Sequence, residues 1–339
     1  MKTLLKLAVL AVTSTAALAL AGNALAVQKL SVSQTASSLT IKVSQAQSDA
    51  QPAKITIYVP TGYSINSSAA PGTKIGTTSG SVFARDANIP LPLSGDVIVA
   101  PPNTNAPGCA TGTHLAVWLL ALSVAGQNIN LPVHVDQTSG AEAALGAYKL
   151  VVCLAPADVP QGTPGRSPNG AQLLEAVFTT NNIFTVPAGV SVWKAITTPY
   201  APGLPAPNVA GTVETRAIVG PGTISLTGKA NNKKREVRLT GQVTQSGAGV
   251  AGAQVRLLIN GKLTTLSKRS SSTGSYSMRL VRKPGFKKAT SIFQTRVTLG
   301  DRDVTASGCS SPIPGVPGGC VSATASGFTA VSRKFKVRI

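Results

Sequence analysis

The chain of 339 residues carries 31 Lys and Arg against 11 Asp and Glu, a formal net charge of +20 at pH 7, with only two His and four Cys. Two imidazoles leave little room for general-base or metal chemistry. The sequence also holds no GxSxG elbow, Walker loop, HExxH or EF-hand loop, which removes the specific signals for the classes that depend on them.

The first residues place Lys2 and Lys6 around an apolar run over 4–20, followed by Ala24-Leu25-Ala26, a small-x-small cleavage site. This is the pattern of a secretory signal peptide over residues 1–26, with no cysteine near the site for a lipid anchor. Downstream, the longest apolar run, 115–125, is far short of the ~20 residues a spanning helix needs. The expectation is an exported protein, secreted or held at the cell envelope, with no membrane span.

Length beyond this leader suits two domains, and charge divides them. Residues 27–228 carry 9 Lys and Arg against 8 Asp and Glu, whereas 229–339 carry 20 against 3. The expected division is an N-terminal domain over 27–200, a Pro-rich linker over 201–219 that begins amid Pro199, Pro202, Pro205 and Pro207, and a basic domain over 220–339. Val, Ile, Thr, Ser and Gly dominate, and helical i, i+3, i+4 patterns are missing, so the fold class is all-β, two tandem antiparallel β-sandwiches.

In chain order, residues 39–43 and 54–59 alternate as strands, and 62–101 is turn-rich with strands near 73–77 and 96–100. A hairpin follows, 114–124 turning back into 128–135. Its first arm is apolar on both faces, as in a central strand. In the second, Ile129, Leu131, Val133 and Val135 face inward, opposite Asn128, Asn130, Pro132 and His134, and the proline implies a sheet edge. Residues 148–154 form another strand. Leu173, Leu174 and Val177 sit at helical spacing, yet the segment continues as Phe178-Thr179-Thr180, so 171–178 reads as strand. Residues 191–197 are a further strand with Trp193 buried.

In the basic domain, 236–243 is the first long strand. Val255, Leu257 and Ile259 alternate with Gln254, Arg256 and Leu258, and Asn260-Gly261 suits a type I′ turn leading into 262–266. Thr273-Gly274-Ser275-Tyr276 is a tight turn into a strand with Tyr276, Met278 and Leu280 on one face. Residues 290–299 and the terminal 335–339 also alternate. The strand ending Gly241-Gln242-Val243, the Gly252-Ala253-Gln254-Val255 entry and the Gly274-Ser275-Tyr276 turn resemble the carboxypeptidase regulatory-like domains, transthyretin-like sandwiches of seven strands. Ser271-Ser272-Thr273 stands where that family usually has Asp or Asn. The resemblance covers the last third of the chain and implies an accessory module without catalytic residues. The N-terminal region resembles secreted actinobacterial proteins of unassigned function.

Four cysteines in an exported chain read as two disulfides, Cys109 with Cys153 and Cys309 with Cys320, one in each compositional region. Zinc is the rival, but paired CxxC spacing and a nearby His are missing. His134 and Asp136 lie two apart on one strand, so imidazole and carboxylate share a face and could orient a base; the plain alternative is a solvated edge face. His114 opens a buried strand as a hydrogen-bonded packing residue. Arg238, Arg256, Arg279, Arg296, Lys336 and Arg338 occupy outward strand positions. Phe286 and Phe293 are too few aromatics for base stacking. The expected function is non-catalytic: a surface accessory protein without cofactor or metal, whose basic domain binds an anionic polymer or envelope surface. The alternative is a secreted hydrolase centred on His134 and Asp136.

Overall fold

The computed structural model describes residues 28–35, 37–124, 126–281, 290–304, 316 and 319–338. Residues 1–26, Cys309, Phe286 and the 282–283 and 287–288 basic pairs lie outside the described residues.

Thirteen strands join in one sheet. Their spatial order is Lys29–Gln34, Ser38–Ser44, Ala171–Asn181, Lys74–Ala84, Ile89–Ala100, Ala116–Val124, Gln127–Gln137, Tyr148–Cys153, Pro52–Val59, Ser191–Pro199, Val213–Val219, Cys320–Ala325 and Arg302–Asp303. All pairs are antiparallel except Val213–Val219 with Cys320–Ala325, which run parallel. The sheet curls until Lys29–Gln34 packs against Val213–Val219 and Cys320–Ala325 at its far end. Ser326 Oγ donates to the Val32 carbonyl and Ser322 Oγ to that of Gln28 across this seam. One folded sheet thus encloses its own core.

At the centre of that core, Trp118 and Trp193 are fully buried, with Phe184 edge-on to both. Trp193 Nε1 donates to Tyr63 Oη at 3.2 Å, so burying the indole leaves its one donor satisfied. The helical spacing of Leu173, Leu174 and Val177 is overridden, because Ala171–Asn181 ladders on both sides with Ser38–Ser44 and Lys74–Ala84. Most of the turn-rich 62–101 stretch is one long hairpin, Lys74–Ala84 with Ile89–Ala100, turning at Asn88 with φ 54°, while Ser64–Ile65 pairs separately with Phe184–Thr185.

The second unit is a sandwich of two sheets. One is centred on Glu236–Gln245, flanked by Gly222–Ile224, Thr227–Asn231, Ala248–Gly249 and Ser275–Val281; the other holds Lys262–Arg269, Gln254–Ile259, Thr290–Leu299, Phe328–Val331 and Phe335–Arg338. Val237, Leu239, Val243, Tyr276 and Met278 from the first meet Val255, Leu257, Phe293 and Val297 from the second in a closed core, with Val337 partly buried at its rim. The Asn260-Gly261 turn has φ values of 50° and 79°, the two positive angles a type I′ hairpin requires. Gly274 has φ 79°, and a Cβ there would lie 2.3 Å from the Val243 carbonyl oxygen, so backbone shape and space both demand glycine.

Two expectations about domain division are corrected. Residues 201–219 are not all linker: Val213–Val219 alternates, pairs with Ser191–Pro199 and buries Val213, Thr215, Ala217 and Val219. Nor is 220–339 one continuous unit, since Arg302–Asp303 and Cys320–Ala325 return to the first sheet before the chain re-enters the second sandwich. The chain therefore passes between the units at 220–221, 300–301 and 326–327. Phe328 seals one crossing against Gly222, where a Cβ would fall 1.9 Å from the ring.

Candidate functional site

The return of Arg302–Asp303 and Cys320–Ala325 to the first sheet sharpens the charge division. Of the three acidic residues beyond position 229, Asp301 and Asp303 sit at the first sheet, where Asp303 pairs with Lys29 at 2.6 Å and Asp301 accepts from Ser31. Glu236 is the only acidic residue left within the second sandwich.

Strand alternation points the six expected anion-binding residues outward, but sheet membership splits them. On the sheet of Glu236–Gln245, register places Lys229, Arg238 and Arg279 in one cross-strand row. Glu236, largely buried, offsets one of the row's three positive charges: its carboxylate lies 2.8 Å from Arg279 Nη2 and 3.9 Å from Arg238 Nη2. Nothing in the sequence marked Glu236 as the partner, because Arg279 reaches it from a strand 43 positions on.

Arg256, Arg296, Lys336 and Arg338 share the outer face of the opposite sheet. Arg256 and Arg296 stand directly across from each other in the ladder, both exposed, and neither forms an ion pair among the described residues. Like charges facing one another across strands destabilise a sheet. With Gln254, Leu263 and Thr298 they line a concavity of about 350 Å³. Arg269, opposite Gln254 in the next strand, adds a third guanidinium to the face. Lys336 and Arg338 pair with Ile292 and Thr290, roughly 13 Å or more farther along the same strand as Arg296. The six thus form two opposite faces, not one patch.

The histidines lie in the first unit. Gln127–Gln137 is an edge strand only in its first half: Tyr148–Cys153 joins it from Val133 to Gln137, and Pro132 is the last residue before that pairing begins. The proline reading therefore holds for 127–132 and fails for the half that carries His134. His134 is fully buried, contrary to a solvated face, because the 101–113 loop covers it. Cys109 and Cys153 form the expected disulfide, with Cα atoms 6.1 Å apart, tying that loop to the sheet.

Under the loop, His134 Nε2 donates to the Thr104 carbonyl at 3.1 Å, and His114 Nδ1 bonds the Asp136 carboxylate at 2.9 and 3.1 Å. The two rings lie 4.5 Å apart at 54°. Burial, with the neighbouring His114, holds the His134 pKa below its ordinary value, opposed by the carbonyls of Val151 and Thr104 and by Asp136. Asp136 thus orients His114, not His134 as the sequence spacing suggested. The three groups do converge, but no serine hydroxyl bonds either ring among the described residues, so the cluster has no nucleophile in place. It clamps the loop.

Among the described residues no group of three or more His, Cys, Asp and Glu could hold a metal, and no helix is long and apolar enough to cross a membrane.

No protein-family model and no curated protein matches the chain. Three solved structures are similar over most of it. The tetra-tandem repeat in the extending region of a large adhesion protein is 13% identical over 90% of this chain and 74% of that one, with a TM-score of 0.23. A putative membrane anchored protein from Corynebacterium diphtheriae is 9% identical over 90% and 53%, with a TM-score of 0.19. Dimeric latent PorU from Porphyromonas gingivalis is 8% identical over 91% and 34%, at 0.18. Similarity this low carries no statement about function.

Proposed function

We propose that this is an exported, non-catalytic surface accessory protein whose second sandwich holds an anionic polymer. The observation that carries the reading is the Arg256–Arg296 pair: two exposed guanidinium groups face each other across a ladder, in a concavity, in a sandwich whose single acidic residue lies on the other sheet. A surface built only for solubility mixes its charges. Repeated carboxylates or sulfates along a polymer would supply the missing counter-charge and bridge from Arg256 and Arg296 toward Lys336 and Arg338. The disulfide fits an oxidising compartment outside the cytoplasm. The second sandwich, with Gly274 at its turn and Tyr276 in its core, supports the accessory-module resemblance.

The test is retention of the full chain on immobilised polygalacturonate. The wild type is expected to bind and to elute with moderate salt, and Arg256→Glu with Arg296→Glu to flow through while melting like the wild type. Equal retention of the two proteins would end the proposal.

A further inference from the structure

Carboxylate, sulfate ester and phosphate monoester make different demands on a pair of guanidinium groups, and the outer face around Arg256 and Arg296 distinguishes among them. The ladder sets the two arginines opposite each other on neighbouring strands, both exposed. Directly opposed residues have Cβ atoms about 4.5–5.5 Å apart, so one bound group can reach both side chains. Two residues along each strand, and hence on the same face, stand Gln254 and Thr298, which are also exposed and line the same concavity.

Thr298 is set up to donate. Thr329 Oγ1 donates to Thr298 Oγ1 at 3.3 Å, so the Thr298 hydroxyl already accepts and keeps its own single proton for another acceptor. Arg269 stands beside Gln254, with Lys262 and Lys268 on the same strand and Lys336 and Arg338 farther along the sheet. The five strands of this sheet carry no acid and no histidine. Two guanidinium forks and a hydroxyl thus share one concavity, with two positive charges at its centre and no carboxylate among them.

A carboxylate brings one charge and two oxygens, and a single guanidinium fork uses both oxygens. It leaves the second arginine uncompensated. A sulfate ester has three free oxygens but again one charge. A phosphate monoester has three strong acceptor oxygens and close to two charges at pH 7, so it alone matches the face in both respects. We infer that the Arg256–Arg296 concavity takes a phosphate monoester carried on the polymer, with a guanidinium on each side of the phosphate and the Thr298 hydroxyl on its third oxygen. The inference rests on the polymer reading and narrows the anionic group that reading calls for.

The experiment measures the affinity of the full chain for dextran bearing phosphate monoester, sulfate ester or carboxymethyl groups, matched in length and degree of substitution, at fixed salt. At pH 7.5 the phosphorylated dextran is expected to bind about tenfold or more tighter than the other two. The second pKa of a phosphate monoester is about 6, so lowering the pH to 5 turns the dianion into a monoanion and should erase its advantage over dextran sulfate. Arg296→Gln should bring the ratio of phosphorylated to carboxymethyl affinity toward one, whereas Arg238→Gln, the same change in net charge, should leave it. Thr298→Val, at an exposed position, should lower that ratio several-fold without altering carboxymethyl binding. Equal affinity for the phosphorylated dextran and either rival at pH 7.5, an advantage undiminished at pH 5, or a ratio that survives Arg296→Gln or Thr298→Val would overturn the inference and leave the polymer reading in place. All three dextrans binding the wild type and Arg256→Glu with Arg296→Glu alike would instead remove the polymer reading, and the inference with it.

Discussion

The two units differ less in fold than in how they treat charge. In the first, Lys29, Lys42, Lys74, Arg85, Lys149, Arg166 and Arg216 each have a carboxylate partner. One such partner, Glu214, is fully buried. In the second, Arg238 and Arg279 share Glu236, and the remaining described cations have no carboxylate. Exposed pairs contribute little stability, so pairing in the first unit is not what holds it together. What the contrast teaches is that the second unit, unlike the first, carries most of its positive charge without a carboxylate, which is the premise of the polymer reading proposed above.

The comparison can be broken first at the disulfide. Cys109→Ala with Cys153→Ala removes the tie on the 101–113 loop, which closes 44 residues, and should cost about 3–4 kcal/mol on the loop-entropy account. Denaturant unfolding of the full chain would read the loss, while polymer retention at low denaturant should persist. Loss of retention instead would show that the first unit shapes the binding face.

Reversal of Arg256 and Arg296 should weaken polygalacturonate by at least about a hundredfold, near 2.7 kcal/mol. The matched reversal of Lys42 and Lys74 in the first unit should change it little.

A smaller effect concerns His134. Its pKa is depressed in the folded chain, so the unfolded state binds more protons once pH drops below about 6.5, and stability falls as pH falls through that value. Melting temperatures followed from pH 8 to 5 should decline in the wild type. In His134→Gln, which keeps a donor toward the Thr104 carbonyl but does not titrate, the decline should be shallower. Parallel curves would assign the acid sensitivity elsewhere. The smallest effect is expected from Arg238→Ala with Arg279→Ala, which should weaken polymer binding only a few-fold, because both guanidinium groups already share the Glu236 carboxylate.

Local signals carried much of the fold. Asn260-Gly261 announced its hairpin, and the alternations over 236–243 and 290–299 and around Val255, Tyr276 and Phe335 gave strands, their inward faces and hence the outward register of all six basic residues. What escaped depends on distant pairing. Val213, Thr215, Ala217 and Val219 alternate, but the prolines before them suggested a linker, and nothing local says that Cys320–Ala325 runs parallel to that strand. His134 alternates as an outward residue and is buried only because a loop closes over it. Outward register also does not tell which sheet a strand joins, so the separation of Arg238 from Arg256 was not legible.

The most direct measurement is the affinity of the full chain for polygalacturonate across a series of salt concentrations, for the wild type and for the two double reversals, Arg256→Glu with Arg296→Glu and Arg238→Glu with Arg279→Glu. Binding that neutralises polymer charges releases counterions, so log K should fall linearly with log salt, with a slope below the ~0.9 per charge of duplex DNA. The account predicts a steep slope for the wild type, a slightly shallower one for the Arg238 and Arg279 reversal, and a nearly flat one for the Arg256 and Arg296 reversal. Equal slopes for the two reversals would contradict it, since net charge alone, and not the unpaired face, would then govern binding.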